Sequence, residues 1–308
     1  RICSAGIVII IAYNVISGVL RGVGNANLPL LFVGIACVIN ILGDLLLVGV
    51  FHMDVAGAAI ATVFAQFISV VCSVVVLRKQ DMPIEFSREQ CRIYKEELGK
   101  ILNVGVPIAL QETTVQISFL VVNSVINQMG LMPSAGYGIA QKIVSFIMLV
   151  PSSIMQSVSA FVAQNIGAGK YDRAKQTLRY AMMIAIGFGL VVSILIQFIA
   201  APVVGLFTAD AAVILLGAQY IRGYIWDCIF AGVHFSFSGY FCACGKSGIS
   251  FLHNLIAILC VRIPGVYLTS KIFPHTLFPM GLATATGSLL SVIICIIAYR
   301  WLCEKSGK

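Results

Sequence analysis

The chain has 308 residues, of which 59% are hydrophobic and 10% charged, with a formal net charge of +8 and a mean hydropathy of +1.00. A soluble domain carries about 25% charged residues, so the composition excludes an ordinary soluble globule and predicts a polytopic membrane protein, read in apolar spans of about 20 residues. The basic excess sits in short loops between apolar runs and reports membrane orientation rather than nucleic-acid binding. The 10 cysteines show no CxxC pair and no Cys/His cluster at zinc spacing, so they are expected to be small core residues without a disulfide framework.

Nine spans are predicted in chain order. The first, 2–22, ends in Leu20-Arg21-Gly22-Val23-Gly24-Asn25, a glycine-rich helix stop ahead of Pro29. The second, 29–49, carries Asn40 and Asp44, an amide and a carboxylate four residues apart and therefore on one helical face. A carboxylate in hydrocarbon costs a few kcal/mol on insertion scales, so such residues face polar cavities, pair, bind cations or carry protons. Asp44 is therefore expected to couple an ion to transport, with Asn40 as a neutral oxygen ligand; a helix-end carboxylate near Gly49 is the plainer reading. The third span, 55–77, opens with Gly57-Ala58-Ala59-Ile60-Ala61-Thr62, small residues that let helix backbones approach.

The polar stretch 78–100 follows, and 81–100 is the expected cytoplasmic linker between two halves. The fourth span, 101–129, contains Pro107, Gln111, Glu112 and Gln116, expected to face the bundle interior as part of a substrate cavity. The fifth, 135–162, carries Gln141, Lys142 and Pro151 and leads into Gln164-Asn165-Ile166-Gly167-Ala168-Gly169-Lys170. The sixth covers 174–206. The seventh, 211–244, is polar in its middle, with Arg222, Asp227 and His234, and Asp227 is a further candidate for the cavity. The eighth, 249–272, contains Arg262-Ile263-Pro264, and the ninth is 280–303. Lys142 is expected to pair with a carboxylate on a neighbouring helix.

Numbering the spans places fifteen of the 20 Lys and Arg on the side of the linker and the C-terminus, with only Arg1 and Lys271 opposite and Lys142, Arg222 and Arg262 within spans. This bias predicts a multi-pass protein of the cell membrane with linker and C-terminus cytoplasmic. The Gly167 loop is not a phosphate loop, since Gln164 stands where Gly is needed and Tyr171 where Ser or Thr is needed. No loop carries a nucleophile–base pair or cofactor motif, so an enzyme is not expected.

The first three spans resemble the last three. Ser17-Gly18 matches Ser238-Gly239 and Gly24 matches Gly245 at an offset of 221; Gly57 and Ala61-Thr62 match Gly281 and Ala285-Thr286 at 224. A transporter built from repeats places its site near midplane at the repeat interface. Twelve helices in two halves of six are the implied whole, with three helices ahead of Arg1.

On the Leu20–Asn25 turn, the Asn40/Asp44 pair, Val55-Ala56-Gly57-Ala58-Ala59-Ile60-Ala61-Thr62 and Gln164–Lys170 with Arg173-Ala174, the chain resembles the multidrug and toxic compound extrusion family. The likeness covers nearly the whole chain, as the last nine of twelve helices. It implies an all-α polytopic membrane protein of two pseudo-symmetric six-helix lobes with the first three helices of the N-lobe missing: residues 1–80 as partial N-lobe, 81–100 as linker and 101–308 as C-lobe. It also implies a secondary active exporter of cationic amphipathic compounds, exchanging them for Na+ or H+ by alternating access. No further cofactor is implied; the partners are small cationic substrates and membrane lipid, with no nucleic acid, and the protein acts as a monomer. Asp44, Asn40 and Thr62 resemble the family's N-lobe cation site, with Asn14 the nearest match to a fourth ligand, and Na+ at Asp44 and Asn40 is one option. Thr62 could instead bond back to its own helix, and Asn14 could be interhelical glue. Arg262-Ile263-Pro264 resembles a recurring eleventh-helix feature, and Arg262 joins Gln111, Glu112, Gln116 and Asp227 as a cavity residue. The alternatives are a flippase for lipid-linked saccharides, for which the intramembrane cations are few, and an incomplete, non-functional copy.

Overall fold

The computed structural model describes residues 2–79, 92 and 94–305, and internal packing divides the chain after residue 93 into two units. Among the described residues every regular element is a helix. Seven are long and apolar enough to cross a membrane. The two other predicted spans each run as a consecutive helix pair, so the chain is an all-α, multi-pass membrane protein.

In the first unit α1 (Ile2–Ala5) and α2 (Ile7–Gly22) make one span broken at Gly6. It ends where the sequence predicts: Gly24 takes φ +94°, and the Asn25 N–H donates to the Leu20 carbonyl at 2.9 Å, closing the orphan carbonyls of the last turn. Then α3 (Asn27–Asp44) continues into a π-helical turn, Leu45–Val50, and α4 (Asp54–Lys79) follows. Small residues bring α3 and α4 together: a Cβ on Gly43 would lie 2.9 Å from the Ala61 Cβ, and one on Gly57 would lie 3.1 Å from the Leu47 Cβ. Lipid supplies no hydrophobic drive between helices, so such contacts and interhelical hydrogen bonds do that work. The Tyr13 hydroxyl accordingly donates to the Pro29 carbonyl at 3.1 Å, and Ser69 to that of Phe32 at 2.7 Å.

Of the segment read as a linker, residues 81–91 and 93 lie outside the described residues. Its last part, 95–100, is helical and opens α5 (Lys95–Asn127), where Glu96 and Glu97 favour the positive helix start and Lys100 pairs with Glu97 at 2.8 Å. The second unit then holds α6 (Leu131–Gly167), α7 (Tyr171–Gly205), α8 (Ala211–Tyr224), α9 (Asp227–Ala243), α10 (Ser247–Ala257), a π-helical turn at Ile258–Arg262, α11 (Ile263–Ile272) and α12 (Phe278–Lys305). The span of α8 and α9 is interrupted at Ile225-Trp226, inside its polar middle. Its core is tight because glycines let backbones touch: Gly223 meets the Phe278 carbonyl, and Gly281 that of Tyr220. Pro264 accounts for the π turn ahead of it, since its ring clashes with the carbonyl four residues back and its missing N–H breaks the α ladder.

The repeat read from the sequence is visible in the backbone of both units. Gly245 takes φ +69°, and the Lys246 N–H donates to the Phe241 carbonyl at 2.8 Å, the same closure as at Gly24. A Cβ on Gly265 would lie 3.2 Å from the Ala283 Cβ, which repeats the Gly43–Ala61 contact with both residues shifted by 222 positions; by this contact Ala61 corresponds to Ala283 and not to Ala285, so the offset of 224 read for the third span is two residues too long there. A π turn lies on the same span of each repeat.

Candidate functional site

In the first unit the α3–α4 contact brings three of the four predicted cation-site residues to one level. Gly43 and Ala61, chain neighbours of Asp44 and Thr62, are in contact, and the Asn40 amide donates across to the Thr62 hydroxyl at 3.4 Å. Thr62 also donates to its own helix, at the Ala58 carbonyl, 2.9 Å away. The back-bonded reading and the cross-helix reading of Thr62 therefore hold together: its hydrogen is used within α4 and its lone pair receives Asn40. The bond engages the NH2 end of Asn40, which leaves the amide oxygen as the end that could hold a cation. Asp44 is the last residue of α3 before the π turn, and its Oδ1 is buried without a hydrogen-bond partner. Asn14 stands apart: its amide donates to the Ile10 carbonyl of its own helix at 3.0 Å on an exposed face. Among the described residues no hydrogen bond joins it to Asn40 or Thr62.

In the second unit the structure separates residues that the sequence reading grouped on α5. Gln111 is buried and accepts from the Ser250 hydroxyl of α10 at 2.7 Å. Glu112 and Gln116, one turn apart, share an exposed face instead. Within this unit the 100° step between successive helical residues puts Gln111 into the core and Glu112 and Gln116 on its surface.

Asp227 opens α9 directly after the interrupted stretch and is 5% exposed; its carboxylate lies near Tyr224, Ser288 and Arg262, and its Oδ1 has no hydrogen-bond partner. Arg262, last residue of the π turn, lays its guanidinium over the Phe119 ring at 4.2 Å, with Nε and Nη2 buried and unpartnered. Lys142, expected to pair with a carboxylate, forms no ion pair among the described residues.

A buried network escaped the sequence reading. His253 sits between the Ser238 hydroxyl at 3.0 Å and that of Ser291 at 3.2 Å, and its ring lies 5.7 Å from that of His234. Its signal was the polarity of three separate spans, which no local pattern connects.

Asp44, Asp227 and Arg262, each at a break or π turn of its span, with histidines buried inside the second unit's helices, define a polytopic membrane protein with polar interior sites rather than a lipid-embedded anchor. The MatE family model matches residues 107–268, and the chain belongs to that family. It is 29% identical over 296 residues to the "Probable multidrug resistance protein YpnP" of Bacillus subtilis, covering 96% of this chain and 66% of that protein. It is 26% identical over 293 residues to the "Probable multidrug resistance protein YoeA" of the same organism, covering 93% of this chain and 63% of that one. The chain thus spans just under two thirds of these relatives. In fold it is similar to a MOP superfamily transporter from Pyrococcus furiosus, with a TM-score of 0.94 and 22% identity over 100% of this chain and 69% of that one.

Proposed function

We propose that the chain acts in secondary active export, with cationic amphipathic compounds leaving in exchange for Na+ or H+ bound at Asp44. The observation that carries this reading is the buried, unpartnered Oδ1 of Asp44, one turn from the Asn40–Thr62 hydrogen bond. A buried carboxylate oxygen without a partner is costly, and a bound cation or proton removes that cost. Occupancy neutralises Asp44. The π turn that begins at the next residue gives α3 a place to change its winding without breaking the span, and substrate affinity falls. Linkage requires the converse, that bound substrate weakens ion binding equally. The relatives YpnP and YoeA, each designated a probable multidrug resistance protein, support drug export as the activity. Alternating access by a monomer, with linker and C-terminus cytoplasmic, completes the proposal; no enzymatic step belongs to it.

The test is gradient-driven efflux of a lipophilic cation from proteoliposomes. Asp44→Asn should abolish efflux while the protein still inserts and binds the cation, and efflux at the wild-type rate in that variant would refute the assignment.

A further inference from the structure

The exposed face of α5 that carries Gln116 and the facing surface of α6 form an open groove of about 410 Å³ on the second unit, with Lys142 exposed along it. Its walls include Gln116, Phe119, Asn123, Tyr137, Gln141 and Lys142, and no Asp or Glu is among its lining residues. That volume suits a drug-sized molecule. Lys142 is the eighth residue of the apolar span predicted at 135–162, so at about 1.5 Å per residue its backbone lies roughly 10 Å past the start of that span, deeper than a headgroup layer of several ångströms. An ammonium at that depth without a carboxylate partner is costly and by default marks a site. A second cation reinforces the first: Arg262 lies over the ring of Phe119, which itself lines the groove, and its buried Nε and Nη2 have no acceptor. The amides of Gln116 and Asn123 supply neutral donors beside the ammonium, and Phe119 and Tyr137 supply aromatic faces.

We infer that this α5–α6 groove receives the acidic group of an amphipathic aromatic substrate, a carboxylate, with Lys142 as its counter-ion. The inference deepens the export reading and rests on it for the word substrate: it adds an acid-accepting subsite in the second unit to the cation chemistry assigned to Asp44. A substrate bearing both an amine and an acid is then favoured over one bearing the amine alone. An ammonium–carboxylate contact is a charge-assisted hydrogen bond, and removing one weakens binding by about tenfold or more.

The same oxyanion chemistry could come from a lipid headgroup, and the experiment separates the two sources. The full chain, purified in uncharged detergent micelles, is titrated with an aminoxanthene dye carrying a free carboxylate and with its methyl ester, which keeps the rings and the positive charge but lacks the acid; binding is read by fluorescence polarisation. The wild type should bind the free acid about tenfold more tightly than the ester. Lys142→Gln should erase that preference while leaving ester affinity within about twofold, and Lys142→Arg should preserve it. Equal affinities in the wild type, or a preference that survives Lys142→Gln, overturn the assignment. If Lys142→Gln misfolds and loses both dyes, Lys142→Arg decides, since loss of the preference there also overturns it. Added phosphatidylglycerol should not compete; displacement of the acid by that lipid in a Lys142-dependent way would make the occupant a headgroup and overturn the substrate assignment. No ion gradient enters the assay, so a chain that binds the acid through Lys142 but fails to move cations refutes the export reading alone.

Discussion

Gly43 lies so close to Ala61 that a Cβ added at position 43 would stand 2.9 Å from the Ala61 methyl. No flexible side chain is available to yield there, so the contact fixes the spacing of α3 and α4 and, one residue along each helix, the level of Asp44 and Thr62. Gly43→Leu should cost about 1–3 kcal/mol by overpacking and lower the thermal unfolding midpoint in micelles. Gly34 has open space around it, so Gly34→Leu should leave the midpoint nearly unchanged. Equal effects of the two substitutions would contradict this account of the α3–α4 crossing.

The paired turns at Gly24 and Gly245 make a second prediction. Both residues have positive φ, +94° and +69°, where a Cβ costs roughly 1–2 kcal/mol. Gly24→Ala and Gly245→Ala should each destabilise by about that amount, and amide hydrogen exchange at Asn25 and Lys246 should accelerate in the respective variant. Gly18, which is helical with open space around it, is the control: alanine there should be neutral or mildly stabilising.

The Asn40–Thr62 bond is long at 3.4 Å, so a double-mutant cycle of Asn40→Ala and Thr62→Val should return a coupling near the low end of the usual range, about 0.5 kcal/mol. The variants should matter more for ion binding. A ligand that binds only the folded protein raises its unfolding midpoint. Titrating sodium at fixed pH, and then pH without sodium, should stabilise the wild type in at least one series. Thr62→Val should respond less, and Asp44→Asn not at all. An Asp44→Asn protein that responds like the wild type in both series would remove Asp44 from the site.

His253 is fully buried and is the only hydrogen-bond partner of the Ser238 hydroxyl among the described residues. His253→Leu should therefore destabilise the second unit by about 1–3 kcal/mol for that stranded hydroxyl alone. Adding Ser238→Ala to the same protein should recover part of the loss, because removing both partners strands nothing. Strictly additive losses in denaturant unfolding would show that the serine and histidine do not act as a pair.

Much of the architecture was legible because helices in lipid must satisfy their backbones internally, so span length and glycine stops read directly onto structure. The predicted stop at Gly24 and its repeat at Gly245 are local features, and both occur. The α5 polar stretch was legible only in part: residues 111, 112 and 116 mark a polar segment, but composition does not say which of them turns into the core of its own unit. Phase decides that, and Ser250, far away in sequence, is what takes Gln111 into the core. Pro264 was visible, yet the π turn it accompanies was not, and no proline accompanies the turn after Asp44.

Hydropathy, charge placement and glycine position alone determined that this chain crosses a membrane many times, where its helices end, and that its first and last three spans repeat one another. These depend on residue type and spacing, and lipid makes them decisive. Tertiary packing alone decided which polar residues meet: Asn40 with Thr62, Gln111 with Ser250, His253 with two serines, Arg262 with Phe119. Those pairings rest on the approach of helices distant in the chain, set by close contacts such as Gly43–Ala61 and Gly265–Ala283, and a contact between two surfaces is a property of neither sequence segment by itself.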